Sequence, residues 1–270
     1  MYTYLSGVKN IHPGNTYISM ETMEMSRESL EGRHVAITGA GSGIGLATAR
    51  LFAQLGAKVA LLDRDAVVKE IAPTLKGAVA VVTDVSSQES VDAGIAEAAT
   101  SLGALDGLVN SAGADFSGSI EDTTPADWSH LMSINLTGPY LVARSALPWL
   151  REAERATIVN VASGLGFRPI RHRAAYSTTK AGLIMFSKAL ALELGPDIRV
   201  NAVCPGVVDT PMLRKAWPDA DSLAQVTSPC VIKSLPSAED IAYSILYLTS
   251  DASRHITGTA LASDGGSSLH

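Results

Sequence analysis

At 270 residues, 46% of them hydrophobic, the chain is long enough for one large α/β domain or two small ones with a sizeable core. Its formal charge of −6 excludes the basic footprint of a nucleic-acid binder, and no apolar stretch reaches bilayer-spanning length, so neither nucleic acid nor membrane is expected as a partner. Six scattered histidines and two cysteines, Cys204 and Cys230, predict no metal site and no disulfide framework. With no leader pattern at the start, they fit a reducing, cytoplasmic setting.

Residues 1–28 are rich in Met, Thr, Ser and Asn, and Pro13–Gly14 breaks any regular element. They read as a flexible N-terminal extension. From Leu30 onward, short apolar runs alternate with helical stretches. The runs are Val35–Thr38, Lys58–Leu62, Ala78–Val82, Leu105–Asn110, Thr157–Ala162, Ile198–Cys204 and Thr259–Ala262. They are continuous rather than alternating, as strands buried on both faces are. Helices are expected over Ser87–Leu102, Pro125–Leu150 and Arg173–Leu194, with a Thr before Pro125 to cap the second. The pattern predicts a single α/β domain over 29–270. Its core is a Rossmann-type doubly wound parallel sheet of about seven strands, helices on both faces.

The first run leads into Thr38-Gly39-Ala40-Gly41-Ser42-Gly43-Ile44-Gly45. Such glycines permit a sharp turn and let backbone N–H groups approach a pyrophosphate at a helix N-terminus. Asp63 closes the second run, where a carboxylate accepts hydrogen bonds from ribose hydroxyls and repels a 2′-phosphate. NAD is therefore expected over NADP, although Arg64 follows directly and could swing toward a phosphate.

Farther along, Ser163 ends the fifth run, and Tyr176 and Lys180 stand at i and i+4 in Tyr-Ser-Thr-Thr-Lys. That spacing puts both side chains on one helix face. A phenol ionises near pH ~10 unaided, and a neighbouring ammonium favours its phenolate. The T-G-x-x-x-G-x-G turn, the Ser and the Tyr-x-x-x-Lys together resemble the short-chain dehydrogenase/reductase family from about Leu30 to Gly266. The resemblance implies a secondary alcohol–ketone oxidoreductase with Asn135, Ser163, Tyr176 and Lys180 as its catalytic set. It adds cofactor contacts at Gly39, Ser42, Gly43, Ile44, Asp63, Asp84, Val85, Asn110, Ala112, Tyr176, Lys180, Pro205, Gly206, Val208 and Thr210. Asn135 is implied to sit at a helix distortion, and Ser111 departs from the second Asn of the family's N-N-A-G. Asp264-Gly265-Gly266 matches a structural D-G-G. Family members commonly pair their long helices, so a homodimer or homotetramer is expected.

The loop Phe167-Arg168-Pro169-Ile170-Arg171-His172-Arg173 leads into the Tyr176 helix. Arg173 stands where cytosolic 3-hydroxybutyrate dehydrogenases of the family bind a carboxylate, and Arg214 lies early in the segment after Pro211. Substrate contacts are therefore expected at Ser163, Arg173, Tyr176 and Arg214. The small-molecule substrate is an anionic hydroxy acid on this reading, or else a neutral polyol, sugar or cyclic alcohol. A cofactor-sensing protein without catalysis would be marked by loss of Ser, Tyr or Lys, and none is lost.

Overall fold

The computed structural model describes residues 29–217 and 219–269; the expected extension over 1–28 lies outside the described residues. The seven runs become β1 (His34–Thr38), β2 (Lys58–Asp63), β3 (Val79–Val82), β4 (Gly107–Asn110), β5 (Ala156–Val161), β6 (Ile198–Pro205) and β7 (Ala260–Ser263). All pair in parallel in the order β3-β2-β1-β4-β5-β6-β7. Val35 faces Val59 on one side and Gly107 on the other. The chain winds outward from β1 in one direction and from β4 in the other. Their carboxyl ends therefore splay apart at a switch point, where open α/β sheets bind ligands.

The helices are α1 (Gly43–Gln54), α2 (Val68–Ile71), α3 (Gln88–Leu102), α4 (Pro125–Met132), α5 (Gly138–Leu150), α6 (Ala174–Leu194), α7 (Pro211–Ala216), α8 (Ala220–Thr227) and α9 (Ala238–Thr249). Ser87 caps α3 by accepting from Ser90 N at 3.3 Å, and Gly103 ends it at φ 87°. Thr124 and Asp127 form a capping box at α4, each satisfying a backbone donor that the first turn leaves open. The stretch expected as one helix over Pro125–Leu150 is interrupted by a π-turn, Ser133–Thr137. Among the described residues no helix is long and apolar enough to cross a membrane.

Strand residues alternate between two cores. Val35, Ile37, Val59, Leu61 and Val159 pack with Phe52 of α1 and Ile241 and Ile245 of α9. Ala36, Leu62, Leu108 and Ile158 face the other way, onto Ile95 of α3 and Val142 of α5. Burial on both faces explains why these strands read as unbroken apolar runs.

Opposite the carboxyl edge, Arg33 is 4% exposed. Its Nε donates to Asp106 Oδ1, Nη2 to Thr157 Oγ1 at 3.2 Å and Nη1 to the carbonyl of Thr249 at 3.3 Å. It ties the entries of β1, β4 and β5 to the end of α9. Removing one member of a buried pair leaves an uncompensated charge, so Arg33→Met should cost about 3–5 kcal/mol. Urea unfolding checks this; a loss under about 1 kcal/mol would mean that the pair contributes no more than an exposed one.

Candidate active site

The site is built from what leaves the carboxyl ends of the strands. Beyond β1 the chain turns at Gly39, at φ +67°, where an added Cβ would stand 2.7 Å from Ala112 Cα. A Cβ on Gly45 would meet the Gly39 carbonyl at 2.2 Å. Only glycines let the turn, α1 and the segment after β4 approach this closely. Thr38 Oγ1 accepts from Ser111 N at 3.1 Å and Ala112 N at 3.2 Å. Ser111 thus serves through its backbone, which is why the departure from Asn leaves the turn intact.

Ser42 is the N-cap of α1 and makes no side-chain cap, and the first turn carries no acid. Its opening N–H groups are left for an anion. Asp63 Oδ2 accepts from Gly41 N and Oδ1 from Asp65 N, both at 2.9 Å, so the carboxylate is held at the end of β2. A Cβ on Gly41 would press to 2.9 Å from Asp63 Oδ2. Asp84 accepts from the Ser86 hydroxyl at 2.7 Å and from its N–H at 2.9 Å. These bonds, with Arg64 nearby, hold its carboxyl below the usual range. The charge of Arg64 is thus felt at Asp84, and among the described residues no hydrogen bond joins it to Asp63.

These groups line one end of a cleft of about 600 Å³. Gly39, Ser42, Gly43, Ile44, Asp63, Asp84 and Val85 all face it; toward the other end come Ala112, Pro205, Gly206, Val208 and Thr210. The residues present suit a dinucleotide: an uncapped helix start, a glycine turn that side chains would fill, and a fixed carboxylate one strand away. Asn110 is a correction. It is 2% exposed and does not line the cleft. Its Nδ2 donates to Asn160 Oδ1 at 2.8 Å, and Asn160 donates to Ser187 Oγ at 2.8 Å. It holds β4 to β5 from behind.

At the reacting end, Ser163 follows β5 while Tyr176 and Lys180 lie on one face of α6. All three face the cleft. Ser163 Oγ accepts from Leu165 N at 3.1 Å, leaving its O–H to donate. Lys180 Nζ lies 5.7 Å from the Tyr176 ring centroid and donates to the Val161 carbonyl at 2.9 Å. Asn135, fully buried, lies in the π-turn, the distortion that the resemblance implied. Its Oδ1 accepts from Ala114 N at 2.8 Å and its Nδ2 donates to Ala114 O at 2.9 Å. It does not line the cleft. It positions the segment after β4 instead of touching the reacting atoms.

Burial dominates the electrostatics. It pushes Tyr176 up to about 12, Asp115 adding to the rise while the Ser163 hydroxyl and Arg173 oppose it. Burial also presses Lys180 down to about 8, against Cys204 and Asp115. The expected help of the ammonium to the phenolate is not among the influences on Tyr176; desolvation instead favours the neutral form of both groups.

Two expected substrate contacts need correction. Arg173 lines the cleft but is 5% exposed. Its Nη1 donates to Asp115 Oδ1 and to the Phe116 carbonyl at 3.2 Å, and its Cζ lies 4.8 Å from the Trp217 ring centroid. It is already neutralised. Arg214 is exposed and turned away, its Nε and Nη2 on Asp209 Oδ1 and Oδ2 at 2.7 and 2.8 Å, and it does not line the cleft. Asp115 and Trp217 were missed. Asp115 comes two residues after the Asn-Ser-Ala-Gly turn and could have been found from that place; nothing local marks Trp217.

The family model described as enoyl-(acyl carrier protein) reductase matches residues 39–268. The chain belongs to the short-chain dehydrogenase/reductase family. It is 36% identical to 2-(S)-hydroxypropyl-CoM dehydrogenase 3 of Xanthobacter autotrophicus, over 88% of this chain and 97% of that one. It is also 36% identical to 2,5-dichloro-2,5-cyclohexadiene-1,4-diol dehydrogenase of Sphingobium indicum, over 89% and 98%. Among solved structures, the 3-ketoacyl-(acyl-carrier-protein) reductase of Brucella melitensis complexed with NADH matches with a TM-score of 0.82 at 35% identity, covering 89% of this chain and 100% of that one. The short-chain dehydrogenase/reductase site here is thus an oxidoreductase site that takes a nicotinamide cofactor.

Keeping Lys180 in that site is costly. With its folded value near 8, below the unfolded value, the folded state loses stability wherever lysine is charged in both states. The loss holds below pH about 8 and is recovered as pH rises toward about 10.4. Lys180→Met should therefore stabilise the protein at pH 7 by roughly 2–3 kcal/mol while abolishing turnover. Thermal unfolding at pH 7 and pH 10 checks it, and an equal gain at both would show that the ammonium is not the cause.

Proposed function

We propose that the protein is an NAD(H)-preferring oxidoreductase that interconverts a secondary alcohol and a ketone. The observation that carries the reading is the position of Asp63, held by Gly41 N–H at one end of a cleft whose other end holds Ser163, Tyr176 and Lys180. When bound, the cofactor supplies the hydride acceptor or donor. The Ser163 O–H, which faces the Tyr176 phenol, would turn to donate to the substrate oxygen, and the phenol would exchange the proton at that same oxygen. Lys180, buried beside them, supplies positive charge where the oxygen becomes anionic. The high value at Tyr176 keeps the phenol loaded with its proton near neutrality, which suits ketone reduction, whereas oxidation gains as pH rises.

For the substrate we propose a neutral secondary alcohol, because the Arg173 guanidinium is matched by Asp115. A second reading, the anionic hydroxy acid, rests on Arg168. This residue is exposed at the cleft, donates to the Ser267 carbonyl at 3.1 Å, and pairs with no acid among the described residues. We place the enzyme in the cytoplasm, from its cysteine usage.

The kcat/KM with NAD should exceed that with NADP by at least about tenfold, ~1.4 kcal/mol, and Asp63→Ser should erase most of the gap. Equal use of both cofactors by the native protein would overturn the preference. Tyr176→Phe should bind NADH normally and turn nothing over.

The reading extends to a homodimer or homotetramer. Tyr140, Met185 and Leu192, the last 86% exposed, leave an apolar surface on α5 and α6 of the kind that association covers. Light scattering should return two or four times the 28.2 kDa chain; a monomer at micromolar concentration would refute it.

A further inference from the structure

Arg173 joins three separate segments. Its backbone carbonyl accepts from Ser177 N at 2.8 Å in the first turn of α6, which Arg173 opens three residues before Tyr176. Its guanidinium donates to Asp115 in the loop after β4, and its face lies under Trp217, just beyond α7. Asp115, Arg173 and Trp217 all line the cleft beside Tyr176. Leu165, Ile170, Met212, Leu213 and Val226 line the same cleft, as does Arg168.

We propose that Asp115, Arg173 and Trp217 form a latch that positions the Tyr176 helix and holds the Trp217 indole as a wall of the substrate end, so that the cleft selects neutral alcohols with an apolar or ring-shaped body. The selection rests on the alcohol dehydrogenase reading above; the latch does not. A guanidinium stacked on an indole and bonded to a carboxylate is fixed in plane and in charge. A substrate carboxylate has to displace Asp115 to use it, whereas an apolar body packs against the indole without cost to the pair.

The groups that act on Tyr176 come from several elements. Asp115 raises its proton affinity from the loop after β4, Arg173 lowers it from the start of α6, and the Ser163 hydroxyl lowers it from the end of β5. Lys180 lies on the same helix face, and Cys204 of β6 acts on Lys180. Asp115→Asn should accordingly move the rising limb of the oxidation pH profile to lower pH, and Arg173→Gln to higher pH, each by roughly half a unit or more. A merely structural pair would not separate the two in direction.

The latch is tested without turnover in Trp128→Phe/Trp149→Phe protein, whose remaining indole is Trp217. Arg173→Lys, which keeps the charge but not the planar stack, should raise acrylamide quenching of Trp217, and Asp115→Asn should raise it too, with circular dichroism unchanged. Unaltered quenching in Arg173→Lys overturns the latch. Selection is then read on a cyclic secondary alcohol and its carboxylate-bearing analogue. Native protein should favour the neutral compound by at least about tenfold. Asp115→Asn, which frees the guanidinium, should narrow that ratio, and Trp217→Ala should raise KM for the ring compound more than it lowers kcat. A native preference for the carboxylate overturns the selection. If no alcohol is oxidised at all, the alcohol dehydrogenase reading fails while the quenching result still decides the latch.

Discussion

At the junction of β1, α1 and the segment after β4, three stretches of backbone meet with no side chain between them. The Gly39 carbonyl lies where a Cβ on Gly45 would be, and Ala112 lies where a Cβ on Gly39 would be. A parallel sheet aims its carboxyl ends the same way, and winding in both directions opens a crevice between β1 and β4. The crevice becomes a binding site only if the helix after β1 starts close to the strand ends. Without the glycines, α1 would be pushed off and its uncapped first turn carried away from Asp63. The depth of the cleft and the direction of its N–H groups both derive from this contact. Thr38, bonded to Ser111 N and Ala112 N, fixes the far side.

The reacting end depends on a different constraint, the cost of burying charge. Tyr176 and Lys180 are displaced in opposite directions, each toward its neutral form. Such a site is set up for charge that develops during reaction and is absent before it. The Lys180 ammonium is turned onto the Val161 carbonyl, and the π-turn at Asn135 keeps the neighbouring backbone of Ala114 bonded. In a regular helix Asn135 would sit at a different angle, and both Ala114 groups would need other partners. Single π-turns recur at functional positions for this kind of reason.

The sheet was legible because its inner strands are buried on both faces, so that Val35-Ala36-Ile37 could be nothing amphipathic. Boundaries moved by a residue or two. The helix over Pro125–Leu150 was legible as apolar periodicity, but its π-turn was not: Ser133 to Thr137 carry no residue that breaks a helix, and only the family resemblance marked Asn135. Asn110 was misassigned for a physical reason. Its neighbours in sequence line the cleft, but a strand side chain points to one face or the other, and that of Asn110 points back to Asn160. The tight turn through Gly39 and Gly45 was legible as spacing, because the geometry that needs glycine leaves glycine behind.

Arg173 shows where such reading stops. Its placement three residues before Tyr176 put it in the lining of the same cleft, because one helix turn is a local distance. Its partners, by contrast, are Asp115, 58 positions earlier, and Trp217, which arrives from beyond β6. Neither partner is implied by the sequence around Arg173. A guanidinium five per cent exposed and already bonded to a carboxylate behaves differently from one that faces solvent, although the two are identical in sequence. The cofactor end is assembled from backbone groups and helix termini, whose geometry the strands dictate. The substrate end is assembled from side chains on the loops after β4, β5 and β6, whose lengths and conformations the sheet leaves open. One fold can therefore keep its redox chemistry fixed while the side chains on these loops differ from one member to the next.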